Sequence, residues 1–232
     1  MTEVIASVLP FKTYEELKNK IAALRSVVST IQIDLCDGIY MPSQTWPFTS
    51  GGFEDYDFQK IMNEEQGLPF WDEFDFELDL MVADAVENFD TYMKLGPKRM
   101  IFHLEAMENP EDFRNFLEGI DLYIRDIIEI GVAFKPGTPL EKVFSLVPFV
   151  DFVQCMGNDK IGISGISLDK KVYSIIESLR DKYPELAIEV DIGITEETAP
   201  KLVEAGATKL ITGSVLFNSY DKIGMVERFR NL

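Results

Sequence analysis

Residues 31–43 read IQIDLCDGIYMPS. Ile31, Ile33 and Leu35 alternate with Gln32, Asp34 and Cys36, a period of two that marks an extended strand, and Asp37 with Gly38 supplies turn chemistry at its end. A surface strand would show that polar face to water. A central strand of a parallel sheet would instead bury Asp34, and a buried carboxylate is costly unless it is partnered. The rest of the chain decides between the two.

Similar strand-like runs occur at about 3–9, 76–82, 99–105, 130–135, 150–156, 186–191 and 208–213. Helical patterns fall between them at 13–28, 83–96, 110–131, 138–147, 168–184 and 195–207, with a last one near 219–230. Thr13 with Glu16 reads as a capping box, Thr138 precedes Pro139 at a helix start, and Gly96, Gly131 and Gly206 stand where helices should stop. Strand alternating with helix eight times implies a parallel sheet closed as a (β/α)8 TIM barrel, one domain over residues 1–232. An open doubly wound sheet is the competing topology, but no GxGxxG follows the first strand and no GxxxxGK[ST] occurs. The one irregular stretch, 38–75, is expected to carry a helix near 55–65 and a loop over a strand end.

A barrel strand points alternate side chains inward, and sites form at the strands' C-terminal ends. The same parity puts Glu77, Asp79 and Met81 on one face of 76–82, His103 and Glu105 on one face of 99–105, and Glu189 with Asp191 on one face of 186–191, while Lys135 ends 132–135. Asp34, Asp79, His103, Glu105, Lys135 and Asp191 thus converge on one mouth. Structural roles compete with functional ones here. Glu77 and Glu189 read as ion-pair partners low in the barrel, His103 as a hydrogen-bonded core histidine, and Met81 and Met156 as core.

Composition narrows the function class. Forty acidic against 22 basic residues give a net charge of −18, which repels nucleic acid and anionic membranes. No window approaches the ~18 consecutive apolar residues of a membrane span. The opening MTEVIASVLPF lacks the pattern of a secretory leader, and Cys36 and Cys155 lie in apolar runs as reduced core thiols do, so a cytoplasmic location is expected. The single histidine limits both metal binding and imidazole catalysis.

In order over nearly the whole chain, from IASVLP (5–10) to GSVLF (213–217), segments resemble the ribulose-phosphate 3-epimerase family. IQIDLCDGIYMPS is similar to its HxDxMDGxFVPN, FELDLMV (76–82) to its DVHLMV, FHLEA (102–106) to its FHxEA and FKPGTPLE (134–141) to its NPGTPLE. VDFVQCM (150–156) stands where the family has a strand ending in Met-Ser, and IEVDIGITEETAPKLVEAGATKLITGSVLF (188–217) follows the family pattern almost throughout. The resemblance implies a phosphate-binding barrel that inverts C3 of a ketopentose 5-phosphate through an enediolate, with Asp34 and Asp191 as acid and base on opposite faces. It places Ser7, Met81, His103, Lys135 and Met156 around the substrate and Gly162, Gly165, Gly193, Gly213 and Ser214 around the phosphate. It also implies a cytoplasmic enzyme, and homo-oligomers are common in such barrels.

The departures bear on the metal. The family holds a divalent ion with two histidines and two aspartates; the corresponding set here is Gln32, Asp34, Asp79 and Asp191, all oxygen. Mg²⁺, Mn²⁺ or Zn²⁺ is the expected ion, the oxygen set favouring the harder ones. Three close carboxylates would otherwise need another positive group, and Lys135, where the motif has Asn, is the candidate, either stabilising an enediolate or pairing with a carboxylate. The phosphate loop has become GNDKIGISGIS (157–167), in which Lys160 adds positive charge, and the glycine pair after the seventh strand is Ile192–Gly193. Another isomerase or a lyase using Lys135, and a non-catalytic phosphosugar binder, are the alternatives on the same barrel.

Overall fold

The computed structural model describes all residues, Met1–Leu232. Its eight strands are β1 (Glu3–Ser7), β2 (Thr30–Cys36), β3 (Asp75–Met81), β4 (Arg99–His103), β5 (Glu129–Phe134), β6 (Phe152–Met156), β7 (Ala187–Asp191) and β8 (Lys209–Thr212), all parallel and closed in sequence order into a barrel. This is the (β/α)8 architecture read from the alternation. The β2–β3 pairing sets the register of the site: Gln32 lies beside Glu77, Asp34 beside Asp79, and Cys36 beside Met81.

The helices cover the outside: α1 (Tyr14–Ala22), α2 (Tyr56–Met62), α3 (Phe89–Met93), α4 (Pro110–Gly119), α5 (Leu122–Arg125), α6 (Leu140–Phe144), α7 (Lys171–Lys182), α8 (Thr198–Ala205), α9 (Ser214–Asn218) and α10 (Lys222–Arg230). A cluster of 54 buried residues fills the layer between strands and helices and includes Ile31, Ile33, Leu35, Phe76, Leu78 and Leu80, whereas a separate cluster of only eight lies with the inward residues Cys36, Met81 and Met156. Most of the hydrophobic stabilisation therefore lies outside the barrel wall, which leaves its interior free to hold polar groups.

Several helices differ from their sequence patterns. The run expected as one helix over 110–131 is two, because Ile120 turns extended (ψ 124°) and Asp121 restarts a helix by accepting from the Tyr123 N–H at 2.7 Å. Gly131 does not end a helix; it lies in β5, where any side chain would collide with the Phe152 ring that fills the barrel beside it. Gly206 caps α8 in the left-handed region, φ 118°, as read. Thr13 accepts from the Glu16 N–H at 3.1 Å, but Glu16 reaches back to the Lys12 N–H at 2.7 Å instead of to Thr13. Thr138 does not cap α6, because its hydroxyl is committed to Glu105.

The segment 38–75 contains α2, preceded by Trp46, whose indole N–H donates to Asp55 at 2.8 Å, and by short 3₁₀ turns at Phe48–Ser50 and Gly52–Glu54. Its start is tied down by Asp37, which is more than a turn residue. One carboxylate oxygen accepts from the Ile39 and Tyr40 N–H groups, and the other accepts from the Ala83 N–H at 2.7 Å, joining the loop after β2 to the loop after β3.

The lower barrel is closed by charge. Arg99 pairs with Glu3 at 2.9 Å, Glu129 at 3.1 Å, Glu77 at 3.3 Å and Glu189 at 3.9 Å, and Lys209 pairs with Glu189 at 2.8 Å. Glu77 and Glu189 are fully buried, as their structural reading requires, and burial raises both carboxyls above the usual range, with the charge of Glu189 adding to the rise at Glu77. Arg99→Met leaves these two acids without their shared cation. It should cost about 3–5 kcal/mol of stability in urea denaturation at neutral pH, with a smaller deficit as the pH falls and the glutamates take up protons.

Candidate active site

Above that tier, the C-terminal half of the barrel holds a second polar layer, contributed by β2, β3, β4, β6 and β7. Asp34, 2% exposed, accepts from the Gln32 amide at 2.7 Å on Oδ1 and from the Ser7 hydroxyl at 3.1 Å on Oδ2. Asp79, fully buried, meets His103 Nε2 at 2.6 Å on Oδ1 and accepts from the Gln154 amide at 3.2 Å on Oδ2. Asp191 ends β7 beside Met156 and accepts from the Ile192 N–H at 2.7 Å. The strand alternation explains the layer: inward positions recur at every second residue, so the polar ones near the strands' C-terminal ends gather inside the barrel.

Burial and crowding make Asp34 and Asp191 weak acids. Burial, and then the charge of Asp79, push the Asp34 carboxyl up to about 7, against the hydrogen bonds from Gln32 and Ser7 that pull it down. Asp191 is pushed well above the ordinary range by burial and by the charges of Asp34 and Asp79. Carboxyls whose pKa values are raised in this way are suited to exchange protons with a bound molecule.

A cavity of about 490 Å³ opens over β1 and β8. Asp34 and Asp191 line it from β2 and β7, the strands that flank this pair, and Ser7 and Met81 contribute to the wall. Gly162 and Gly165 of the loop after β6, Gly193 after β7, and Gly213 with Ser214 at the start of α9 also line it. The lining includes no Lys, Arg or His. An anion there would be held by backbone N–H groups and hydroxyls. Ile192 and Gly193 both adopt left-handed backbone, φ 76° and 78°; at Gly193 a side chain would run into the Leu168 backbone, so the family's second glycine is kept where space demands it.

The other expected residues lie outside the cavity wall. His103 and Gln32 are fully buried within the polar layer. Met156 is fully buried too and packs with the inner cluster, as its core reading has it. Lys135 points its Nζ over the Tyr40 ring at 5.0 Å and forms no ion pair with a carboxylate. Glu105 is drawn off the β4 line into a 3₁₀ turn, where it accepts from the Lys135 backbone N–H at 2.8 Å. Lys160 is exposed and away from the cavity. Gln154 is missing from the candidates that the sequence suggests, yet the parity of FVQCM, with Phe152, Gln154 and Met156 on one face, carries that signal. Tyr40, which packs against His103 with ring centroids 5.5 Å apart, has no such signal, because it lies in a loop.

The expected metal set is not assembled. Both oxygens of Asp34 and both of Asp79 already face protein hydrogen-bond partners, and no three His, Cys, Asp or Glu side chains gather in a geometry for an ion. The donors present do not fit a divalent cation.

Comparison with known proteins gives a consistent picture. Residues 3–217 match the ribulose-phosphate 3 epimerase family. A ribulose-phosphate 3-epimerase of Eremothecium gossypii is 30% identical over 156 residues, 67% of this chain and 62% of that protein, so the match spans less than two thirds of that relative. One from Chlamydia muridarum is 28% identical over 212 residues, 88% of this chain and 82% of that protein. Among solved structures, KGPDC from Streptococcus mutans superposes with a TM-score of 0.66 at 11% identity, covering 100% of this chain and 96% of the other, a likeness of fold.

Asp34→Asn tests the electrostatics. A carboxyl raised in the folded state contributes stability below its unfolded pKa and loses it as the pH rises through about 7. The variant should therefore melt higher than the parent above neutrality, by several degrees, and the difference should shrink as the pH falls below 7 and vanish only near the unfolded value of 3.8. Differential scanning calorimetry across that range reads it.

Proposed function

The chain belongs to the ribulose-phosphate 3-epimerase family, and we propose that it is a cytoplasmic sugar-phosphate epimerase acting at C3 of a ketopentose 5-phosphate. The observation that carries the reading is the placement of Asp34 and Asp191 on two strands that border one cavity, which is also lined by loop glycines and hydroxyls. Inversion needs such a pair: a proton must leave one face of C3 and return to the other.

The ionised carboxylate takes the C3 proton, and the electron pair of the C–H bond moves into a C2–C3 enediolate with its charge on the C2 oxygen. The other carboxylic acid then returns a proton to C3 from the opposite face, and the ketone re-forms. One proton is accepted and one given, so the two aspartates exchange protonation states and either epimer can enter. Their raised pKa values suit the task, since one must be protonated while the other is not. Ser7 and Gln32 fix Asp34 by a hydrogen bond on each oxygen, which orients it for transfer. The phosphate sits against Gly162, Gly165, Gly193, Gly213 and Ser214. Lys135, which is stacked on Tyr40 and outside the cavity, is not an electrophile or Schiff-base amine in this reading.

Ribulose 5-phosphate in D₂O with the purified chain, followed by NMR, should gain deuterium at C3 as xylulose 5-phosphate appears. Asp34→Asn and Asp191→Asn should each slow exchange by about 10²–10⁴-fold. Thermal stabilisation by the sugar phosphate with no deuterium at C3 would make the chain a phosphosugar binder instead.

A further inference from the structure

The geometry points to a site in which protein hydrogen-bond donors stand where relatives use a divalent cation, with His103 as the positioning residue that holds Asp79. Four donors converge on two carboxylates: Ser7 and Gln32 on Asp34, His103 and Gln154 on Asp79, at 2.6–3.2 Å. The register places these two acids side by side, the arrangement in which a cation would otherwise be needed to offset their repulsion. A donor on each oxygen supplies that offset without an ion.

Three features argue against an ion slipping into the same place. Asp79 is fully buried and does not line the cavity, so an ion bound to it would have to displace His103 or Gln154 from a closed layer. The hard cations that suit oxygen ligands keep several of their own waters, for which a fully buried carboxylate offers no shell. The atoms of the layer left without partners, Gln32 Oε1, Gln154 Oε1 and His103 Nδ1, are two amide oxygens and one ring nitrogen and form no anionic ligand set of their own. The two sequence departures, Gln32 for one histidine and Asp79 for the other, are then one change: the Gln32 amide donates to Asp34, and Asp79 is met by His103 and Gln154. The inference concerns what the site contains, and its outcome does not depend on the substrate.

The chain has one histidine, so its imidazole is a unique reporter. In the full chain labelled with ¹⁵N-histidine, the His103 ring signals should keep their shifts and widths when Zn²⁺ or paramagnetic Mn²⁺ is added at equimolar concentration. Metal analysis of the protein after dialysis should find no stoichiometric ion, and any Mn²⁺ binding to the acidic surface should be the same in Asp34→Asn. Broadening of the His103 signals by equimolar Mn²⁺, or a stoichiometric ion that Asp34→Asn releases, would overturn the inference. The NMR result stands on the parent protein alone, whether or not the variant folds.

Discussion

A closed barrel of parallel strands gives every inward side chain a fixed height, and a polar group at that height has to be met by another. The register of β2 against β3 is where this constraint acts most strongly, because it sets Asp34 beside Asp79. Two carboxylates in a dry interior repel, and each is stable only with donors on its oxygens. Ser7 from β1, Gln32 from β2, His103 from β4 and Gln154 from β6 provide them, so four strands supply donors to one pair. The same logic operates one tier lower, where Glu77 and Glu189 are met by Arg99 and Lys209.

The two tiers divide the labour. The lower one closes the barrel floor with full charges and lines no part of the upper cavity. The upper one separates its acids by access: Asp79 is sealed inside, while Asp34 and Asp191 border the cavity over β1 and β8. Loops outside the barrel are held by further carboxylates. Asp37 fastens the start of the 38–75 segment to the loop after β3, and Glu105 holds the backbone at Lys135. This brings Tyr40 down against His103 and beneath Lys135, which covers the β4–β5 side of the mouth and leaves the β1–β8 side open.

Period-two alternation makes the barrel legible, since each strand shows its hydrophobic face to the helices and its polar face inward, and the inner positions of Asp34, Asp79, His103 and Asp191 follow from it. Less legible is anything set by loops or by partner choice. Extending a strand beyond its end places Glu105 and Lys135 at the mouth, whereas β4 in fact breaks into a turn at Leu104. Gly131 looks like a helix stop because a helical pattern precedes it; its meaning depends on Phe152, 21 positions away, through a strand pairing that local pattern does not show. The set looks like an oxygen cage for an ion, because sequence gives the identity of the four side chains but not that donors already sit on both oxygens of Asp34 and Asp79.

The most direct test of the paired placement of Asp34 and Asp191 is a crystal structure with a non-reacting, reduced analogue of a ketopentose 5-phosphate. Its phosphate should lie against Gly193, Gly213 and Ser214, and its C3 should sit between the two carboxylates, one on each face. A phosphate bound elsewhere, or a C3 with both aspartates on the same side, would contradict it.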